Sequence, residues 1–245
     1  MSPLAPPPRP PDTLVTHFRH GDTMRSRSVS PVVHTATLNV PAPPARLLAD
    51  WERETTVHLG LVPGDVEQLP LARTRARWPD LRHCVQAATD WAATLGLPGT
   101  LLADSDIALM TCRGARYHHD GEQYGGATFL NLFLSDDKGL DLHFPNAGHR
   151  IPLVRGTAVL FDTGQPHAVI PRHRSGFDAA DFPPSLDCTL VFLTWELPID
   201  QPGVVQALGI SFHMDPAAAL EEEQLQLNGA AVRVCPATGR WLARI

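Results

Sequence analysis

The sequence predicts a mainly β protein, a sandwich or jelly-roll barrel with helices packed on one outer face. Three observations carry that prediction. From about residue 106 the chain breaks into short β-like runs separated by glycine, proline and acidic turns. The segment 45–96 before it carries apolar residues at helical intervals, and the closing segment holds an Asn-Gly turn between two alternating runs.

The elements follow in order. Six of the first eleven residues are proline, which cannot donate a backbone hydrogen bond, so 1–12 is expected to be a flexible Pro-rich tail. Arg25-Ser26-Arg27-Ser28 and Pro41-Ala42-Pro43-Pro44 read as irregular, and the alternating run His34–Val40 between them is a candidate strand. Ala45 to His58 sets Leu47, Leu48, Trp51 and Val57 on helical spacing. Trp78 to Leu95 does the same with Leu81, Val85, Ala88 and Trp91, and Gly96 and Pro98 stop it. Six strands are expected at Ile107–Cys112, Thr128–Leu134, Ile151–Val154, Thr157–Phe161, His167–Ile170 and Cys188–Trp195. Leu225–Leu227 and Ala231–Val234 then flank Asn228-Gly229 as a hairpin. No domain boundary falls inside 13–245. The helical part (about 45–96), the strand core (about 106–200) and the closing hairpin (about 222–243) are therefore expected to form one domain.

Composition narrows the function classes. The 245 residues carry 20 Lys+Arg against 26 Asp+Glu, a net charge of −6, which lacks the basic surplus that drives nucleic-acid binding. No run approaches the roughly 20 apolar residues of a membrane span. The four cysteines, Cys84, Cys112, Cys188 and Cys235, form no Cys-x-x-Cys pair and suit a reducing cytoplasm.

The chemistry concentrates in Tyr117-His118-His119-Asp120-Gly121. On a strand, alternation sends His118 and Asp120 to one face and His119 to the other. An imidazole and a carboxylate so placed supply two ligands of a facial metal triad, and a distant strand can supply the third. His167, 47 residues beyond Asp120 and just after the apolar run Ala158–Phe161, is the natural third ligand. A surface pair bonded to solvent is the bland reading of His-x-Asp alone.

Context sharpens it. After the triplet come Thr128-Phe129-Leu130-Asn131-Leu132-Phe133-Leu134-Ser135-Asp136-Asp137, Gly139-Leu140-Asp141-Leu142-His143-Phe144-Pro145, Gly156-Thr157-Ala158-Val159-Leu160-Phe161 and then His167. This order, over about residues 113–196, resembles the iron(II)- and 2-oxoglutarate-dependent oxygenases, most nearly their prolyl-hydroxylase-like branch. The resemblance implies a double-stranded β-helix with helices outside it, and iron(II) held by His118, Asp120 and His167. It also implies 2-oxoglutarate and O2 as co-substrates, with ascorbate as a candidate reductant. The implied reaction is hydroxylation of an unactivated C–H on a small molecule, amino acid or peptide side chain, with release of succinate and CO2.

One departure stands out. The family anchors the distal carboxylate of 2-oxoglutarate with an Arg or Lys near the start of the strand after the distal His, and here that strand begins Asp187-Cys188-Thr189. Arg172 and Arg174 are the candidate anchors in its place, with Thr128 and Asn131 on the middle strand as alternatives. Tyr117 and Tyr124 flank the site, where a phenol could bond the co-substrate. Arg113 and Arg116 could form a positive rim, and His143 sits at a turn near the mouth. Two other classes compete: a cupin-type metalloenzyme that uses no 2-oxoglutarate, against which Asp120 argues, and a non-catalytic β-helix binding module.

Overall fold

The computed structural model describes residues 13–213 and 222–244. The expected tail at 1–12 lies outside them. In chain order the elements are β1 (Leu14–His20), β2 (Thr23–Ser28), β3 (Val33–Thr37), α1 (Ala45–Arg53), β4 (Val66–Leu69), α2 (Leu71–Arg77), α3 (Leu81–Thr94) and α4 (Leu101–Asp104). Then come β5 (Asp106–Cys112), β6 (Ala115–His118), β7 (Ala127–Phe133), β8 (Leu140–Phe144), β9 (His149–Pro152), β10 (Thr157–Asp162), β11 (His167–Pro171) and β12 (Leu190–Pro198). The chain closes with α5 (Pro202–Leu208), β13 (Phe212–His213), β14 (Gln224–Leu227), β15 (Ala230–Val234) and β16 (Trp241–Ala243).

The eight strands β5 to β12 make two facing antiparallel sheets. One runs β10-β7-β12-β5, extended by β3 and β4 at its ends, and the other runs β6-β11-β8-β9. Except for the β8–β9 hairpin, each successive strand crosses to the opposite sheet, which is the jelly-roll winding of a double-stranded β-helix.

Alternation along the strands separates two cores. The outer face of the larger sheet, with Leu130, Leu160, Leu193 and Trp195, packs against Trp51, Trp78 and Trp91 of the helical segment. The inner face joins Phe133, Phe161 and Phe192 to Leu142 and Phe144 of the smaller sheet. Each such side chain contributes about 1.5–3 kcal/mol by leaving water.

The expected helices form with shifted limits. The first turns from α-helix to a π turn at Glu54–His58, where the Leu59 N–H reaches back to the Glu54 carbonyl at 2.9 Å. α3 begins only at Leu81, because Trp78 is non-helical and Pro79 and Asp80 precede the first turn. The hairpin forms as read, with Asn228 and Gly229 both at positive φ (52° and 81°).

Arg25–Ser28 is not irregular: it lies in β2, paired with β1. Its polar residues hide the strand because Ser26 and Arg27 are buried by pairing rather than by apolar contact. β1, β2 and the closing strands form a third sheet, β13-β2-β1-β14-β15-β16. No helix among the described residues is long and apolar enough to cross a membrane.

Candidate metal centre and its cavity

β6 and β11 are neighbours in the smaller sheet, and their register sets His118 directly opposite His167. The register shifts between His167 and Val169, a bulge that re-aims the imidazole at the end of the barrel. The two rings lie 4.4 Å apart. Asp120 completes the set, its carboxylate oxygens 3.7 Å from His118 Nε2 and 3.6 Å from His167 Nε2. The three ligand atoms all fall within 4.8 Å of one another.

Asp120 arrives there by a different route from strand alternation. β6 ends at His118, and Asp120 lies in the following turn. Its N–H donates to the Thr163 carbonyl at 2.8 Å, and its own carbonyl accepts from Tyr124 N–H at 2.7 Å. The Thr163 hydroxyl bonds the carbonyls of Tyr124 and Ala127, so the 120–127 loop and the turn leading to His167 form one unit. Gly121 is needed for that closeness: a Cβ there would stand 2.5 Å from Leu225 Cδ1 and 3.1 Å from Gly164 Cα.

Each histidine is set for metal ligation. His118 Nδ1 is 2.8 Å from the Arg116 carbonyl and His167 Nδ1 is 3.0 Å from the Gln165 carbonyl, so each Nδ1 carries the proton and each Nε2 keeps a free lone pair. Burial, reinforced by the neighbouring His118, pushes His167 down to about 4 and keeps it neutral. Two imidazoles and one carboxylate on one side of an ion are the donor set of non-haem iron(II) sites, and the residues present fit that metal.

The three side chains line one cavity of about 260 Å³ between the sheets. Register divides its larger-sheet wall into layers. Phe129 and Glu196 pair beside the metal centre, Asn131 and Thr194 pair in the middle, and Phe133 and Phe192 pair at the far end with Met110 beside Phe192. Leu142 and Val169 face them from the smaller sheet. Gln68, exposed on β4 opposite Met110, lines the rim of the far layer. The Asn131 side-chain oxygen is buried with no hydrogen-bond partner.

No lysine or arginine lines this cavity among the described residues. Arg172 is spent outside it on Asp137 and Asp141, and Arg174 on Asp181. The sequence-based choice of these two as anchors is corrected, since flanking carboxylates hold both on the surface. Tyr117 also points elsewhere: its ring is buried and its hydroxyl bonds His143 Nδ1 at 2.5 Å. His143 lies within β8 rather than on a turn. Thr128 is fully buried and its hydroxyl donates to the Phe161 carbonyl. Of the residues considered for the co-substrate, Asn131 and Tyr124 line the cavity.

Arg113 follows Cys112, a lining residue, but its guanidinium turns to the carbonyls of Phe182, Pro183 and Leu186, and its Nε is buried without a partner. Arg116 pairs with Asp65. Lined so, the cavity has three candidate metal ligands at one end and, among the described residues, no lysine or arginine to meet the distal carboxylate of 2-oxoglutarate. Sequence reasoning passed over Thr194, Glu196 and Gln68. The signal for the first two is period-2 polarity in Phe192-Leu193-Thr194-Trp195-Glu196.

Fold and site together define a jelly-roll barrel with two histidines and one carboxylate converging at one end, placed so that they could hold a metal ion. The chain matches no protein-family model and no curated protein. Among solved structures it is similar to EvdO2 from Micromonospora carbonacea var. aurantiaca, at 12% identity and a TM-score of 0.41 over 75% of this chain and 89% of that one. It is similar to a Pseudomonas putida prolyl-4-hydroxylase at 19% identity and a TM-score of 0.36, over 68% and 92%. The viral collagen prolyl hydroxylase of Paramecium Bursaria Chlorella virus-1, solved as a 2OG complex, shares 12% identity at a TM-score of 0.37, over 67% and 94%.

Proposed function

We propose that this chain is an iron(II)-dependent oxygenase that couples oxidative decarboxylation of a 2-oxo acid to hydroxylation of a C–H bond on a small molecule, amino acid or peptide side chain. 2-Oxoglutarate is the 2-oxo acid that the sequence resemblance names. The observation that supports this reading is the convergence of His118 Nε2, Asp120 and His167 Nε2 at the end of a cavity that all three line.

Iron(II), when bound, supplies the oxygen chemistry. The chain's own residues do the rest. The Nδ1–H groups of His118 and His167 donate to backbone carbonyls, which fixes both rings and makes each Nε2 a better ligand. Asp120 brings the negative charge that favours a divalent ion over water. Side chains of Phe129, Phe133 and Phe192 limit water behind the metal. Burial raises the Tyr124 phenol and the Glu196 carboxyl above their ordinary values, and the Tyr124 hydroxyl can donate to a substrate oxygen beside the metal ligands.

The test is an anaerobic titration of metal-free protein with iron(II) and then with 2-oxo acids, watching the visible charge-transfer band of a chelated keto acid. A band absent from the Asp120→Ala protein supports the reading. Iron binding with no band from any 2-oxo acid would favour a metalloenzyme of cupin type, and no iron binding would leave a binding module.

A further inference from the structure

We propose that the far end of the cavity is built for an uncharged side chain, so that the co-substrate is a monocarboxylic 2-oxo acid rather than 2-oxoglutarate. This rests on the reading just given, that a 2-oxo acid chelates the metal. Such an acid bound through its keto-acid end directs its tail away from His118, Asp120 and His167, along the layers that the register defines. The tail then meets Asn131 and Thr194 and, beyond them, Phe133, Phe192 and Met110 with the neutral amide of Gln68.

Nothing in that path balances a second carboxylate. The lining holds no lysine or arginine among the described residues, and its ionisable side chains besides the two histidines are acids, Asp120, Glu196, Tyr124 and the Cys112 thiol. A carboxylate drawn into such surroundings gives up its water without gaining a cation. An aliphatic tail gives up little, and an amide tail, which gives up more, could donate one hydrogen bond to the partnerless oxygen of Asn131.

The reaction balances without a further reductant. The C–H substrate, O2 and the 2-oxo acid R–CO–COOH give the alcohol, CO2 and the shortened acid R–COOH. One oxygen atom enters the alcohol and the other enters R–COOH.

The experiment compares 2-oxoglutarate with 2-oxopentanoate and 4-methyl-2-oxopentanoate on the anaerobic iron(II)-loaded protein, reading each Kd from the charge-transfer band. The better neutral-tailed acid is expected to bind at least tenfold tighter than 2-oxoglutarate. Equal binding, or tighter binding of 2-oxoglutarate, overturns the proposal while leaving the oxygenase reading intact. Iron binding without a band from any of the three overturns the oxygenase reading itself. Phe192→Arg supplies the missing cation and should shift the preference toward 2-oxoglutarate by tenfold or more. Should that protein fail to fold, Gln68→Arg on the neighbouring edge strand makes the same test, and an unmoved preference in the folded variant counts against the proposal.

Discussion

Arg27 and Asp162 form a fully buried, two-pronged ion pair five residues ahead of His167: Nη1 donates to Oδ2 at 2.6 Å and Nη2 to Oδ1 at 3.0 Å. The same carboxylate accepts from the backbone N–H groups of Ser30 and Gly164, and Arg27 Nε donates to the Gly125 carbonyl. The pair thus ties β2 to the loop that carries Asp120 and to the turn that leads into His167. Removing one partner strands the other charge, so Arg27→Ala or Asp162→Ala should cost about 3–5 kcal/mol. Urea unfolding of the metal-free proteins measures it, and a loss under about 1 kcal/mol would mean water reaches the pair.

Asp120→Ala and His167→Ala should each weaken iron(II) binding well beyond the roughly 10–100-fold worth of a supporting hydrogen bond. The melting temperature of the metal-free protein should barely change. His143→Ala should keep the metal, because that ring is occupied with Tyr117. Anaerobic equilibrium dialysis distinguishes the three.

The metal-free protein should lose stability as pH falls from about 6.5 to about 4. His167 stays neutral in the fold down to about 4, whereas the unfolded chain takes up its proton near 6.5. The unfolded state therefore binds more protons across that window, and His167 alone accounts for about 3 kcal/mol at its lower end. Burial lowers His17, His119 and His143 as well, which steepens the fall. Chemical denaturation at a series of pH values should show a slope in this window and none contributed by these groups above about pH 7.5.

Cys235 should be the first thiol to react with iodoacetamide. Hydrogen bonds from Thr238 and nearby backbone lower it, and it is partly exposed. Burial pushes Cys84 and Cys112 up to about 12, and Cys188 is buried too. Peptide mapping after brief alkylation reads the order, and early labelling of Cys112 would mean that the cavity opens in solution.

The legible parts of this fold are those where one local pattern decides the outcome. Strands β7, β10 and β12 have strong apolar runs, and Asn228-Gly229 has the one turn chemistry that its hairpin needs. The bringing together of His118 and His167 follows from two sequence neighbourhoods that each announce a strand. Asp120 was placed beside them by strand alternation, although a turn puts it there. β2 was illegible because burial of Arg27 depends on a carboxylate 135 residues away. Arg172 and Arg174 misled for the same reason: a basic residue near the right place cannot reveal that Asp137, Asp141 and Asp181 will claim it.

β1 pairs along β14, Leu14 opposite Leu227, and the Tyr117 N–H in β6 donates to the Pro236 carbonyl at 2.9 Å. The strand that carries His118 is thus braced on its free edge by a segment more than 100 residues further along the chain. During synthesis the barrel strands emerge first, while β1 waits with one edge unpaired until β14 appears. Contacts of such long sequence separation are slow to form. A nascent chain halted before residue 224 would lack both the brace and the closing strands, so the outer edges of β1 and β6 are completed only after the barrel strands exist.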